Sequence, residues 1–144
     1  REVMRTLLTS REFLSQDVER VKVKNPFEFV ISSLRATGSD VNNALPTVRA
    51  IGQLGMPLYQ CQPPTGYKDS ADTWVNTGAL VNRMNVALTM ASGRMPGVKL
   101  AAPPSADSIL GLALSESTRS TIAKATTSEQ SLALALGSPE FQRR

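Results

Sequence analysis

Asn25-Pro26-Phe27-Glu28-Phe29-Val30-Ile31-Ser32-Ser33-Leu34-Arg35-Ala36-Thr37-Gly38 is the stretch that decides the fold class of this chain. Asn25 carries a side-chain oxygen suited to the open N–H groups of a helix start, and Pro26 fits the first helical position. Glu28 stands three residues after the cap, as a reciprocal capping box requires. Phe27, Val30, Ile31 and Leu34 fall on one face at helical period, and Gly38 supplies a left-handed stop.

Working outward, the same grammar recurs. Toward the start, Val3, Met4, Leu7 and Leu8 form one apolar stripe, Ser10 caps a further turn carrying Phe13 and Leu14, and Val21-Lys22-Val23-Lys24 alternates like a short extended segment. Downstream, Pro46 starts a helix in which Val48, Ile51 and Leu54 share a face, ended by Gly55 and Pro57. Asn76 or Thr77 begins the longest helix, with Leu80, Val81, Met84, Ala87, Leu88 and Ala91 on one side and Gly93 as its stop.

Ser105, Ser115 and Thr127 are three further cap-like starts, the last with Gln130 in capping-box register. Ile109, Leu112 and Ala113 serve the first of these helices, Ile122 and Ala123 the second, Leu132 and Leu136 the third. Ser138-Pro139-Glu140 is another start, with Phe141 as an anchor. The run from Leu7 to Phe13 echoes that from Leu134 to Phe141 as a helix, a serine cap and an acidic-aromatic pair, which reads as recurrent capping rather than as a solenoid repeat.

No strand pair stands out, so the reading is all-α. It is an irregular bundle of about six to seven helices with one long, ordered loop of prolines and aromatics. The chain is expected to form a single domain over 1–144. Its main helices and loop lie in 1–93, a linker-like passage in 94–104, and Ala/Leu-rich helices in 105–144. The methionines at 84, 90 and 95 read as core filling.

Composition removes several chemistries. With no His and one Cys among 144 residues, neither a His-dependent nucleophile system nor a Cys/His zinc site can be assembled from this chain, so no cofactor or soft metal is expected and activity on its own is not. Any metal would be a hard cation on oxygen ligands. The net charge of +4 is spread along the chain and aromatics make up only 5%, a footprint that argues against nucleic acid. No apolar run approaches the ~20 residues that span a bilayer.

Unusual side chains concentrate between Gln53 and Arg83. The candidate polar and aromatic cluster is Gln53, Tyr67, Asp69, Asp72, Trp74, Asn76 and Arg83, with Tyr59, Cys61 and Asn82 nearby. Asp69 and Asp72 would form a carboxylate pair or a Ca²⁺ site with Ser70 and Asn76; the alternative has Asp72 capping a turn at Thr73-Trp74 and Asp69 solvated. Arg83 sits beside the apolar face of its helix, either leaning inward onto a carboxylate such as Asp72 or facing solvent. Tyr67 and Trp74 are either a platform for a sugar or anchors of the loop on the body. Cys61, flanked by glutamines and prolines, reads as a small structural side chain or half of a bridge to another part of a longer protein.

Gln53-Leu54-Gly55-Met56-Pro57-Leu58-Tyr59, Pro63-Pro64-Thr65-Gly66-Tyr67 and Trp74-Val75-Asn76-Thr77, followed by Leu80, Asn82, Arg83 and Asn85, closely resemble the bacterial family catalogued as domain of unknown function 1800. Lys24-Asn25-Pro26-Phe27-Glu28-Phe29-Val30 and the closing Leu136-Gly137-Ser138-Pro139-Glu140-Phe141-Gln142-Arg143-Arg144 resemble it too. The resemblance implies the C-terminal portion of a longer, exported protein, periplasmic or extracellular, often encoded beside an exported sulfatase-like partner, and implies no established activity. Family members often carry Gly-Trp where this chain has Gly66-Tyr67.

Two kinds of function follow as expectations. One is a helical module that works by packing against the upstream part of its parent chain and against partners. The other is part of a hydrolase or glycan-processing site completed by upstream residues, or a carbohydrate-binding module around Tyr67 and Trp74. Apolar surface formerly covered by upstream residues predicts self-association of the 144-residue chain.

Overall fold

The computed structural model describes residues 1–15, 21–100 and 102–144. Among them are nine α-helical segments: α1 (Glu2–Leu8), α2 (Pro26–Ala36), α3 (Leu45–Gln53), α4 (Ala71–Trp74), α5 (Thr77–Ala91), α6 (Ala106–Leu110), α7 (Glu116–Ile122), α8 (Ser128–Gly137) and α9 (Pro139–Gln142). A 3₁₀ turn, Gly111–Ala113, follows α6. The fold is all-α, and the segments beyond the sequence-based count are single turns such as α4, which lies inside the expected loop.

Local capping follows the sequence closely. Glu28 N–H donates to Asn25 Oδ1 at 2.9 Å while Asn25 N–H donates to Glu28 Oε2 at 3.0 Å, the reciprocal box that opens α2. Thr127 Oγ1 accepts from Gln130 N–H at the start of α8. Ser10 and Ser138 each accept from the N–H of the phenylalanine three residues on, at 3.2 Å in both cases, so the two echoing segments share one capping device.

Three helices end alike. Gly38 N–H bonds Arg35 O and Ser39 N–H bonds Leu34 O after α2, with the same crossed pair after α3 at Gly55 and Met56 and after α5 at Gly93 and Arg94. This Schellman closure needs a left-handed residue, and Gly38, Gly55 and Gly93 have φ of 59°, 98° and 63°.

Phe29, Val30, Ile51, Leu132 and Leu136 are fully buried at the centre, joined by Leu34, Leu54, Met90, Met95, Leu110 and Phe141. Each fully buried Leu, Ile or Phe side chain contributes about 1.5–3 kcal/mol relative to exposure. The most extensive helix pair is α5 against α8, where Ala87 and Ala91 are buried on one side and Ala133 and Ala135 on the other. Small side chains let two helix backbones approach closely.

Burial departs from the predicted faces in three helices. In α2 Val30 and Leu34 are buried as expected, but Phe29 is buried in place of the expected Phe27, which is exposed. In α3, Thr47, Ala50, Ile51 and Leu54 are buried and Val48 is not. In α5 the buried residues are Arg83, Ala87, Met90 and Ala91, leaving Leu80, Val81, Met84 and Leu88 exposed. Met84 is therefore not core filling, unlike Met90 and Met95. The reason in α5 is its partner: the small alanine side chains sit at the close approach to α8, while Met84 and Leu88 lie at its margin, beside cavities they share with α8. Leu110 and Ala106 bury α6, with Ile109 only partly covered.

Strand pairing is present, against the expectation that none would be found. β1 (Asp40–Val41) pairs antiparallel with β2 (Val98–Lys99), Asp40 opposite Lys99 and Val41 opposite Val98. Asn42 and Asn43 N–H groups both bond Gly97 O, at 2.9 and 3.1 Å. Two residues per strand leave no alternation to read. Val23, in the segment whose alternation suggested an extended conformation, forms an antiparallel bridge with Arg143. Around it, Lys24 N–H bonds Gln142 O and Arg144 N–H bonds Lys22 O, both at 2.8 Å.

No helix among the described residues is long and apolar enough to cross a membrane. The apolar stripe of α1 is exposed among the described residues: Val3, Met4, Leu7 and Leu8 face outward, as do Phe13 and Leu14 after it.

Candidate functional site

Arg83 organises the region between the loop and the end of the chain. It enters the core from α5 and is 1% exposed. Arg83 Nη1–H donates to Gln142 Oε1 and Nη2–H to the Lys24 carbonyl oxygen, both at 2.7 Å. The guanidinium carbon lies 5.3 Å from the centre of the Phe29 ring, and Phe29 meets Phe141 edge-on at 6.3 Å. The Lys24 ammonium lies 3.9 Å from the centre of the Phe141 ring. Two cations and two rings thus stack across α2, α5, α9 and the 22–24 segment, an arrangement in which each cation meets the electron-rich face of a ring.

Arg83 leans inward as one of the two readings had it, but its partner is not a carboxylate. Among the described residues it forms no ion pair, and its two hydrogen-bond acceptors are neutral oxygens. Burial lowers its pKa from the ordinary arginine value, since a charge removed from water is disfavoured.

The other candidates occupy separate settings. Trp74 is 4% exposed and packs on Tyr67, with ring centres 5.9 Å apart and planes tilted by 58°. Tyr67 O–H donates to the Pro57 carbonyl at 2.7 Å, drawing the two ends of the proline-rich loop together. Desolvation, with Cys61 beside it, raises the Tyr67 pKa. Cys61 is a free, half-buried thiol. Tyr59 projects fully into solvent from a left-handed backbone, φ 62°.

Asp69 turns to cations that the sequence did not single out. It pairs with Lys22 and with Arg144 Nη2 at 3.5 Å, and Arg144 Nε also reaches Glu28 Oε2 at 3.1 Å. The Lys22 hydrogen bond chiefly lowers the Asp69 pKa. Asp72 sits in the first turn of α4, where the Ser70 hydroxyl and the Asp72 and Thr73 N–H groups hold its pKa down against desolvation. The residue preceding that turn is Ser70, so Asp72 supports the helix start from within and is not its cap. Asn76 caps α5, accepting from Ala79 N–H at 2.8 Å. Gln53 ends α3 and is exposed.

Sequence reasoning missed Lys22, Lys24, Gln142 and Arg144, whose roles depend on contacts such as the one joining positions 59 apart. The alternation at 21–24 was the only local signal of that segment. Among the described residues, no group of three or more His, Cys, Asp or Glu side chains is placed to hold a metal ion.

Beside Arg83 lies a cavity of about 390 Å³. Val23, Val75, Leu80, Met84 and Pro139 form its apolar walls, and Arg83, Gln142 and Arg143 are its polar members. Met84 also borders a second cavity, about 440 Å³, that extends along α5 to Leu88 and across to Ala133 and Leu134 of α8. Gly137 lines the first cavity, and a Cβ there would collide with Met84 Sδ.

No curated protein and no solved structure matches the chain. A family model described as a protein of unknown function, DUF1800, matches residues 1–143, and the chain belongs to that family.

Proposed function

We propose that this chain is a non-catalytic, helical interaction module of an exported bacterial protein, docking against the upstream part of its parent chain. The observation that carries this reading is the apolar stripe of α1, Val3, Met4, Leu7 and Leu8, which stands exposed although its spacing is that of a buried helix face. Phe13 and Leu14 extend it. Residues that first suggested chemistry support the same reading: Trp74 is buried against Tyr67, and Asn76 is a helix cap. An exported location and a sulfatase-like partner go with the family likeness and belong to this proposal.

Hydrogen exchange on the longer parent protein and on residues 1–144 tests it. Amides of α1 are expected to exchange far more slowly in the parent, while those of α5 and α8 are protected in both. Equal, fast exchange of α1 in both proteins would remove the docking surface. Turnover of the intact parent that is lost on Asp72→Ala, with an unchanged melting curve, would instead place part of a reaction site here.

A further inference from the structure

We infer that the cavity beside Arg83 is a binding site for a small amphiphilic monocarboxylate, an apolar chain of several carbons ending in one carboxylate. This goes beyond the docking reading and does not depend on it.

A buried charge ordinarily carries an opposite charge with it, because taking an ion out of water costs several kcal/mol even after relaxation. Arg83 is buried, yet the oxygens it reaches are an amide and a peptide carbonyl. Its remaining N–H groups have no acceptor among the described residues, and Arg83 lines the cavity. Arg143 is a second basic residue of the same lining, and no acidic residue is among the described residues that form it. Among the described residues, the polar end of the cavity is therefore basic, with no carboxylate to balance it.

The rest of the lining fixes the class of anion. Val23, Val75, Leu80, Met84 and Pro139 leave an apolar volume that a hydrated inorganic ion would fill badly. At about 390 Å³ the space falls within the range of small-molecule sites, ~300–1,000 Å³, which pair apolar walls with a few placed polar groups. A planar guanidinium presents paired N–H donors matched to a carboxylate. Met84, unbranched and shared between this cavity and the next, lets the apolar end accommodate different chain lengths.

The test is a titration of the 144-residue protein with octanoate, octanol and octylammonium, followed by the ¹³C-methyl resonance of Met84 and by calorimetry. Octanoate is expected to shift the Met84 methyl saturably and to bind at least tenfold more tightly than the other two, with affinity falling as salt rises. Arg143→Gln should weaken octanoate at least threefold and leave octanol unchanged. Leu80→Trp, which fills the apolar end, should abolish the octanoate shift in a protein whose helical circular dichroism is intact. Arg83→Gln removes the central donor but also a core contact; Arg143→Gln and the three head groups decide the matter even if that variant fails to fold. Equal affinity for the three head groups, an unmoved Met84 methyl at millimolar octanoate, or an Arg143→Gln protein with undiminished octanoate affinity would each overturn the site.

Discussion

Arg83 Nη1–H and Gln142 Oε1 meet at 2.7 Å inside the core, so a residue nearly two turns into α5 is bonded to the last residue of α9. Gln142→Leu would leave the guanidinium short of an acceptor, and an unsatisfied buried partner of a charged group costs about 2–3 kcal/mol. A fall in melting temperature of roughly 5–10 °C is expected for a protein of this size. Calorimetric unfolding of the variant checks it, and an unchanged midpoint would show that the bond contributes little.

Met84 Sδ occupies the space that a side chain on Gly137 would need. Gly137→Ala should therefore destabilise by about 1–3 kcal/mol, as overpacking does. Because the obstacle is one flexible side chain, Met84→Ala in the same protein should recover much of that loss. A double-mutant cycle by urea unfolding is expected to show clear non-additivity, as contacting sites do. Additive effects would mean that the collision is relieved elsewhere.

Thr47 is buried in α3 with its hydroxyl unpartnered among the described residues. Replacing it with valine keeps the branched shape and removes an unmade hydrogen bond. Thr47→Val should be neutral or stabilising by about 1 kcal/mol, opposite in sign to most core changes. Loss of stability on chemical denaturation would point to a hydrogen bond formed by that hydroxyl in solution.

Acid should weaken the fold through its surface carboxylates. Asp69, Asp72 and Glu140 all have folded pKa values below their ordinary ones; the Lys22 bond leads for Asp69, and for Glu140 desolvation, which pushes upward, is outweighed by hydrogen bonds from Ser115, from its own N–H and from Thr118 together. A depressed carboxylate contributes stability that is present above its unfolded pKa, near 4, and is lost as pH falls through the folded one. Tyr67 works at the other limit: its raised pKa favours the folded state until pH climbs above about 10. Melting temperatures should thus hold level from about pH 5 to 9 and fall on both sides. Added salt should shallow the acid limb, because the ion pairs of Asp69 are exposed. A midpoint that rises on acidification would contradict the assignment.

Exposed Leu7 and Leu8 on α1 should make the 144-residue chain associate with itself. Leu7→Asp is expected to lower the sedimentation-average mass at micromolar concentrations while changing stability by less than about 0.5 kcal/mol, since no residue of α1 is buried. Identical monomeric behaviour of both proteins would mean that the stripe does not self-associate.

Helix starts were legible because their signals are local. Asn25 with Glu28, Thr127 and Ser138 before Pro139 each act within one turn and form their caps, although the box expected at Thr127 is only half made, since Gln130 Oε1 accepts from Thr126 instead. Helix facing was less legible. In α5 periodicity selects Leu80, Val81, Met84, Ala87, Leu88 and Ala91, of which the core takes only Ala87 and Ala91, together with Met90 and a buried arginine whose neutral acceptors lie far along the chain. Tyr67 and Trp74 could be read as loop anchors from composition alone. Asp69 could not be placed, since both its cations arrive from far along the chain.

The antiparallel tie between Lys22–Lys24 and Gln142–Arg144 also bears on synthesis. A ribosome exposes α2 through α5 while Gln142 is still to emerge, so a nascent chain presents Arg83 and Phe29 with their counterpart still inside the exit tunnel. Premature termination a few codons short of that point would yield a product with most of its helices and an unsatisfied guanidinium at its centre, a natural substrate for proteolytic clearance.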